Sequence, residues 1–550
     1  MQIIIPMSGF GERFRRAGYN LPKPLIEVEG KPIIAHVIDM FPGETDFIFI
    51  CNRDHLENPN YKMREILKKL SPSSKIFPID PHKLGPVYAV YSIEDMIEDE
   101  EEVIVNYCDF GTYWDYKDFL KHTRNRNSDG AVPSYKGFHP HMLGSTNYAF
   151  MRDKEQWMQE IKEKEPFTDN RMQEYASNGT YYFKKGSYVK KYFKELMDHD
   201  INLKGEYYVS LIYNLLVRDN LKVSIYEIQH MLQWGTPEDV QEYNTWSKYF
   251  SDAIREKEKP KALKNSLTLI PLAGHGSRFT QAGYKDPKPL INVSGKPMII
   301  QAAKSLPNSE NQIFVTLKDH LENYPLEKTL KIEYPHSKII AINEVTKGQA
   351  ITCSLGLKDS DMNTSLLIAA TDNGMIYDKK KYQKLIEDES VDAIVFTFRH
   401  HVSSKNNPHM YGWVKTDNNQ NAKGVSVKSP ISDNPYDDHA IVGTFYFRKL
   451  AYFNQALKSL LDKDIKVNGE YYVDSLIGEI IELGLNVKVF EIEHYIGWGT
   501  PDDYKTFVYW QSFFNKVSWH PYTLEKDITI NKDKIKELDI SFRVFNQEFR

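Results

Sequence analysis

Pro6-Met-Ser-Gly9-Phe-Gly11-Glu-Arg13-Phe14 recurs 265 residues later as Pro271-Leu-Ala-Gly274-His-Gly276-Ser-Arg278-Phe279. The same offset carries Ala17-Gly18-Tyr19 with Pro22-Lys23-Pro24-Leu25-Ile26 onto Ala282-Gly283-Tyr284 with Pro287-Lys288-Pro289-Leu290-Ile291. It also carries Gly30-Lys31-Pro32 onto Gly295-Lys296-Pro297, and Asp54–Asn58 onto Asp319–Asn323. Further along the register drifts by one or two residues. Asp109 answers to Asp372, Gly179-Thr180 to Gly443-Thr444, Gly205–Tyr208 to Gly469–Tyr472, and Trp234–Pro237 to Trp498–Pro501. Solenoid repeats run about 20–50 residues, so a period this long is a duplicated whole domain. Two domains are expected, 1–250 and 266–515. The charged, proline-containing stretch 251–265 reads as a linker and 516–550 as a C-terminal extension with one strand-like alternation, Asp527–Asn531.

Within each half, apolar runs alternate with helical stretches. Gln2–Pro6, Asp46–Cys51 and Glu102–Tyr107 read as strands, as do Leu267–Pro271, Gln312–Leu317 and Ser365–Ala370. Lys31–Phe41 and Lys296–Leu306 read as helices. This alternation implies an α/β fold with mostly parallel sheets covered on both faces. Ligands of such sheets bind beyond the carboxyl ends of the strands. Both the glycine loop and Asp109 or Asp372 belong there.

Composition narrows the partners. Seventy Lys and Arg against seventy-five Asp and Glu give a formal net charge of −5, with no basic excess to attract nucleic acid or an anionic membrane. Mean hydropathy is −0.53, and no apolar run approaches the roughly 18–20 residues of a membrane span. Met1–Met7 lacks the basic start of a signal peptide, and three scattered cysteines suit neither a disulfide framework nor a zinc site, so a reducing cytoplasm is the expected compartment.

The motifs carry the chemistry. Gly-x-Gly-x-Arg after the first strand, comprising Ser8, Gly9, Gly11 and Arg13 and again Ala273, Gly274, Gly276 and Arg278, lets backbone N–H groups wrap phosphate oxygens beside a guanidinium and a helix start. Lys23 and Lys288 stand between prolines that fix the backbone, so each ammonium is presented rigidly, suited to neutralising an α-phosphate under attack. A carboxylate at a strand end, Asp109 or Asp372, is a natural Mg²⁺ ligand beside phosphates. Gly348-Gln349 opens a helical stretch and Gln349 can read a base edge, whereas its counterpart Gly85-Pro86 offers no side-chain partner. Lys164 and Lys428 are candidates for a second phosphate, and Glu206 and Glu470 for the hydroxyls of a polyhydroxylated substrate. The pair His139-Pro-His141 lacks further ligands at metal spacing and is given no metal.

Taken together with Gly-Lys-Pro and a late Gly-Thr-Pro-x-Asp, these motifs resemble the sugar-phosphate nucleotidyltransferase (nucleoside-diphospho-sugar pyrophosphorylase) family over about residues 1–245 and 266–510. The resemblance implies two tandem Rossmann-like, GT-A-like domains. It also implies Mg²⁺ at Asp109 and Asp372, NTP phosphates on Arg13, Lys23, Arg278 and Lys288, and a base read after Gly85 and by Gly348-Gln349. A sugar phosphate is expected near Lys164, Gly179, Glu206, Lys428, Gly443 and Glu470. The implied reaction moves NMP from an NTP to a sugar 1-phosphate or related metabolite with release of pyrophosphate, in service of capsule- or lipopolysaccharide-type synthesis; homo-oligomer formation is left open. Two departures stand out: the family's second metal Asp is Gln233 in one copy and Gly497 in the other, and Pro86 replaces Gln349. The rival readings are a glycosyltransferase of similar fold, which would need an Asp-x-Asp motif at the strand end, where neither Asp109 nor Asp372 belongs to one, and a pair in which one copy only binds nucleotide.

Overall fold

The structure is a computed structural model that describes residues 1–255 and 262–544. The chain divides into two compact units, Met1–Lys248 with Ser512–Trp519 and the segment from Ile540, and Tyr249–Gln511 with His520–Asp539. The charged centre of the expected linker, 256–261, lies outside the described residues. Its flanks are regular structure, since helix Pro237–Ala253 runs into it and strand Leu263–Leu272 leaves it. The 516–550 stretch is shared between the units.

In the first unit, four parallel strands stand in the order Val103–Asn106, Gln2–Met7, Phe47–Asn52, Lys75–Ile79. Thr180–Phe183 and Gly130–Tyr135 extend the sheet beyond Val103–Asn106. The second unit repeats the plan with Ser365–Ile368, Leu263–Leu272, Ser309–Leu317 and Lys338–Ile342. Every residue of Gln2–Met7 and Phe47–Asn52 is buried, as expected of strands covered on both faces. In the second unit the alternation is explicit. Leu267 and Leu269 join one apolar cluster with Val315 and Ile368, while Ile270 and Leu272 join another with Phe314 and Leu367. Each such side chain contributes roughly 1.5–3 kcal/mol on leaving water.

Topology positions the site. From Gln2–Met7 the chain runs to its neighbour Phe47–Asn52 on one side, and only later returns as Val103–Asn106 on the other. The crevice at the carboxyl end of the first strand therefore opens at a switch point, and Ser8–Gly11 lies across it. Leu263–Leu272 creates the same crevice in the second unit.

Two expectations need correction. The helices expected from Lys31 and Lys296 begin at Ile33 and Met298, because Lys31-Pro32 and Lys296-Pro297 pair as short strands first. The tail alternation Asp527–Asn531 forms no strand. Asp527 folds back on itself, accepting from the Thr529 N–H at 2.8 Å and the Tyr522 hydroxyl at 2.8 Å, and this side-chain competition holds the segment in a turn. A helix over Ile535–Val544 follows it. Among the described residues no helix is long and apolar enough to cross a membrane.

Candidate active site

The glycine loop closes by a left-handed turn at Gly11 (φ 63°) and Gly276 (φ 61°), beside the backbone of Lys23 and Lys288. The helices that follow, Glu12–Arg16 and Ser277–Gln281, are single turns. Few peptide dipoles add up in one turn, so positive potential here comes from Arg13 and Lys23 rather than from the helix end anticipated in the sequence. Each lysine begins a 3₁₀ turn, Lys23–Leu25 or Lys288–Leu290, entered from an extended proline.

The lysine and the aspartate meet. Lys23 Nζ lies 2.5 Å from Asp109 Oδ2, and Lys288 pairs in the same way with Asp372 and also donates to the Gly499 carbonyl at 3.2 Å. Burial alone would depress the Lys23 ammonium, but the Asp109 carboxylate outweighs it and holds the pKa above its ordinary value. Burial would likewise raise Asp372, yet Lys288 keeps it below the usual carboxylate value. Both aspartates lie just past the strand, whose last residues are Asn106 and Ile368, and their carbonyls accept from the N–H of Trp234 at 2.9 Å and Trp498 at 2.7 Å.

In the first unit two cavities share this pair as a common wall. One, of about 550 Å³, is lined by Ser8, Gly9, Gly11, Arg13, Lys23, Gly85, Pro86, Asp109 and Glu206, with His82. The other, of about 230 Å³, adds Lys164 and Gly179 to Arg13, Lys23 and Asp109. Gly85 (φ 87°) and Gly348 (φ 126°) press against the backbone of Tyr207 and Tyr471, where an added Cβ would lie 2.7 Å or less from an oxygen or nitrogen. That close approach brings Glu206 and Glu470 to the site. Gln349 starts the helix Gln349–Gly356, half-buried.

Lys164 (φ 58°) and Lys428 (φ 59°) both hold a left-handed backbone that lysine seldom adopts. Lys164 donates to the Tyr208 hydroxyl at 2.6 Å, which donates in turn to Glu206 at 2.6 Å, so Glu206 is tied to this chain of bonds. In the second unit Lys428 donates to the Met410 carbonyl, and burial, aided by Arg278, lowers its pKa against the opposing pull of Asp474, Asp372 and Glu470. Gly179 abuts the Phe110 ring and Gly443 lies beside Ala370 and Asn373. Arg278, Lys288, Asp372, Lys428 and Glu470 thus gather in one place, as do their counterparts. His139 and His141 pack their rings on Tyr135 instead, with centroids 4.5 and 5.2 Å away.

Two groups were missed. Asp239 and Asp503 form capping boxes with Thr236 and Thr500 at the start of the last helix of each repeat, and across Gly235 or Gly499 they approach Asp109 or Asp372. Burial raises both, and Asp372 pushes Asp503 further. The recurrent Thr-Pro-x-Asp is legible in the sequence, which carries no sign that its Asp turns toward the strand-end carboxylate. The second group is a half-buried acid beside Lys164 and Lys428. Glu163 accepts from the Ser210 hydroxyl at 2.6 Å, and Asp474, at the position of Ser210, replaces it where Val427 stands for Glu163; burial pushes each to about 6. The exchange hides from a motif search because the carboxylate changes strand for helix.

The donor set suits Mg²⁺. Each strand-end carboxylate already holds a cation, the lysine ammonium, and a second carboxylate is near; Mg²⁺ commonly takes one or two carboxylates with water and substrate phosphates. Among the described residues no group of three or more His, Cys, Asp or Glu side chains forms a fuller cage.

A family model described as nucleotidyl transferase matches residues 2–209 and again residues 267–474. The bifunctional protein GlmU of Methanocaldococcus jannaschii is 27% identical over 266 residues, 48% of this chain. That alignment spans 58% of the relative, little more than half its length. Among solved structures, a nucleoside-diphosphate-sugar pyrophosphorylase from Vibrio cholerae RC9 is 22% identical, covering 44% of this chain and 98% of that one at a TM-score of 0.37. An inositol-1-phosphate CTP transferase from T. maritima is 15% identical, covering 44% and 96% at a TM-score of 0.35.

Proposed function

The chain belongs to the nucleotidyl transferase family, present in it twice, and from this we propose that each unit transfers NMP from an NTP to the phosphate of a small metabolite such as a sugar 1-phosphate. A phosphate oxygen of the acceptor attacks the α-phosphorus, the bond from that phosphorus to the β-phosphate bridging oxygen breaks, and pyrophosphate leaves. The nucleophile is already an anion at pH 7, so the protein's work is positioning and charge neutralisation. The observation that carries this reading is the meeting of two cavities at Lys23 and Asp109, with the same pair rebuilt at Lys288 and Asp372.

The larger cavity takes the nucleotide. Ser8–Gly11 and Arg13 receive its phosphates, Lys23 balances charge at the α-phosphate, and Lys164 in the smaller cavity draws in the acceptor's phosphate. In the second unit Arg278, Lys288 and Lys428 do the same, with Gln349 at the base. Mg²⁺, held by Asp109 or Asp372 with Asp239 or Asp503 near, would supply charge neutralisation across the phosphates. The activated products fit glycoconjugate synthesis of the capsule or lipopolysaccharide type, a cytoplasmic task.

The test is pyrophosphate release over four NTPs and a panel of phosphorylated sugars and polyols. Asp372→Asn should remove the second unit's activity and leave the fold unchanged, because an amide is a poor Mg²⁺ ligand. Undiminished activity of the second unit in that variant would refute the metal assignment.

A further inference from the structure

The nucleotide cavity of the first unit contains a polar pair with no equivalent in the second. Ser8 Oγ lies 3.2 Å from His82 Nε2, and both residues line the 550 Å³ cavity at the end formed by Gly85 and Pro86. At the corresponding positions of the second unit stand Ala273 and Val345, which make no hydrogen bond through their side chains. The reverse exchange occurs a few residues on, where Pro86 of the first unit corresponds to Gln349 of the second. Between these aligned positions, the polar side chains thus sit at 8 and 82 in the first unit and at 349 in the second.

The tautomer follows from the bonds. The backbone N–H of Leu84 donates to His82 Nδ1 at 3.2 Å, so Nδ1 carries no proton and Nε2–H donates to Ser8 Oγ. Partial burial favours this neutral ring, and Tyr88 packs edge-on against it with centroids 4.7 Å apart. The Ser8 carbonyl is held by Asn52 Nδ2 at 3.2 Å, which fixes the loop from below. With its oxygen already accepting from His82, the Ser8 hydroxyl proton is free to be donated into the cavity.

We propose that Ser8 and His82 are the nucleotide-discriminating pair of the first unit, donating one hydrogen bond from the Ser8 hydroxyl to an acceptor atom of the bound nucleoside triphosphate. His82 acts as the positioning residue. The pair does in the first unit what Gln349 does in the second, and the two units select different NTPs. This rests on the nucleotidyl-transfer reading for the identity of the ligand class. A site built around a directed hydrogen bond discriminates strongly against a ligand that cannot make it, because the site's own polar group is then left unpaired.

The test uses the intact chain. A photoactivatable azido-NTP is crosslinked, the label is mapped by mass spectrometry to peptides of either unit, and each of the four natural NTPs is used as competitor. In the parent, competition at first-unit peptides should differ by about 10-fold or more between the best and worst NTP. The double variant Ser8→Ala with His82→Val installs the second unit's residues. It should shrink that spread to about 3-fold, while competition at second-unit peptides stays as in the parent, which also shows that the chain has folded. An unchanged spread, or an equal weakening of all four NTPs, overturns the assignment, as does the absence of label in the first unit. Labelling of that unit without pyrophosphate release for any acceptor overturns its enzymatic reading instead, and leaves the pair to stand or fall by its competition spread.

Discussion

His36 and Gln301 hold corresponding places in the second helix of each repeat and do one job with different chemistry. His36 Nε2–H donates to the Val28 carbonyl at 2.8 Å, and Gln301 Nε2 donates to Val293 at 3.0 Å. The amide does not titrate, while burial drives the His36 pKa down to about 4. The folded state then binds fewer protons than the unfolded chain between pH 6.5 and 4. Stability is present in full above 6.5 and falls as the pH drops through that window, by on the order of 3 kcal/mol. His36→Gln should leave the urea midpoint at pH 7.5 nearly unchanged and raise it at pH 4.5. Equal shifts at both pH values would contradict the assignment. The exchange was written in the sequence, but only the carbonyl opposite the side chain shows that Gln can replace His.

At the scale of elements, strand Trp157–Glu163 and helix Val209–Arg218 share one half-buried acid, Glu163, and in the second unit the acid has moved to the helix as Asp474. Glu163 sits near 6 in the fold against about 4.5 unfolded, so the folded state binds more protons in that interval. Its contribution is most favourable below pH 4.5 and is lost as the pH rises through 6. Glu163→Gln keeps an acceptor for Ser210 and removes the half-buried charge. It should stabilise the first unit by roughly 2 kcal/mol at pH 8 and by little at pH 4. Denaturant midpoints at the two pH values decide this, and a gain of equal size at pH 4 would count against it. Motif spacing located Lys164 and Lys428. It gave no sign of the acids beside them, because strand and helix meet only after folding.

At the scale of the whole molecule, two complete Lys–Asp centres predict two independent activities. Lys23→Ala and Lys288→Ala should each silence only their own unit, lowering turnover there by 100-fold or more, with the remaining unit keeping its own NTP preference. Pyrophosphate release by each variant across four NTPs measures this. If Lys288→Ala removes every activity and Lys23→Ala none, the first unit is not an enzyme.

The sequence by itself determined the duplication, the strand-to-loop order and the roster of polar side chains that gather at the crevice. A 265-residue repeat of glycine and proline positions leaves few backbone solutions, and buried parallel strands announce themselves as unbroken apolar runs. Tertiary structure decided what those residues touch: the lysine on the aspartate, the second carboxylate brought in by a helix cap, the half-buried acids, and Ser8 opposite His82. Each joins residues about 50 to 130 positions apart. Their meeting depends on sheet order and on which backbone approaches which, as Gly85 does Tyr207, and local periodicity carries no record of either.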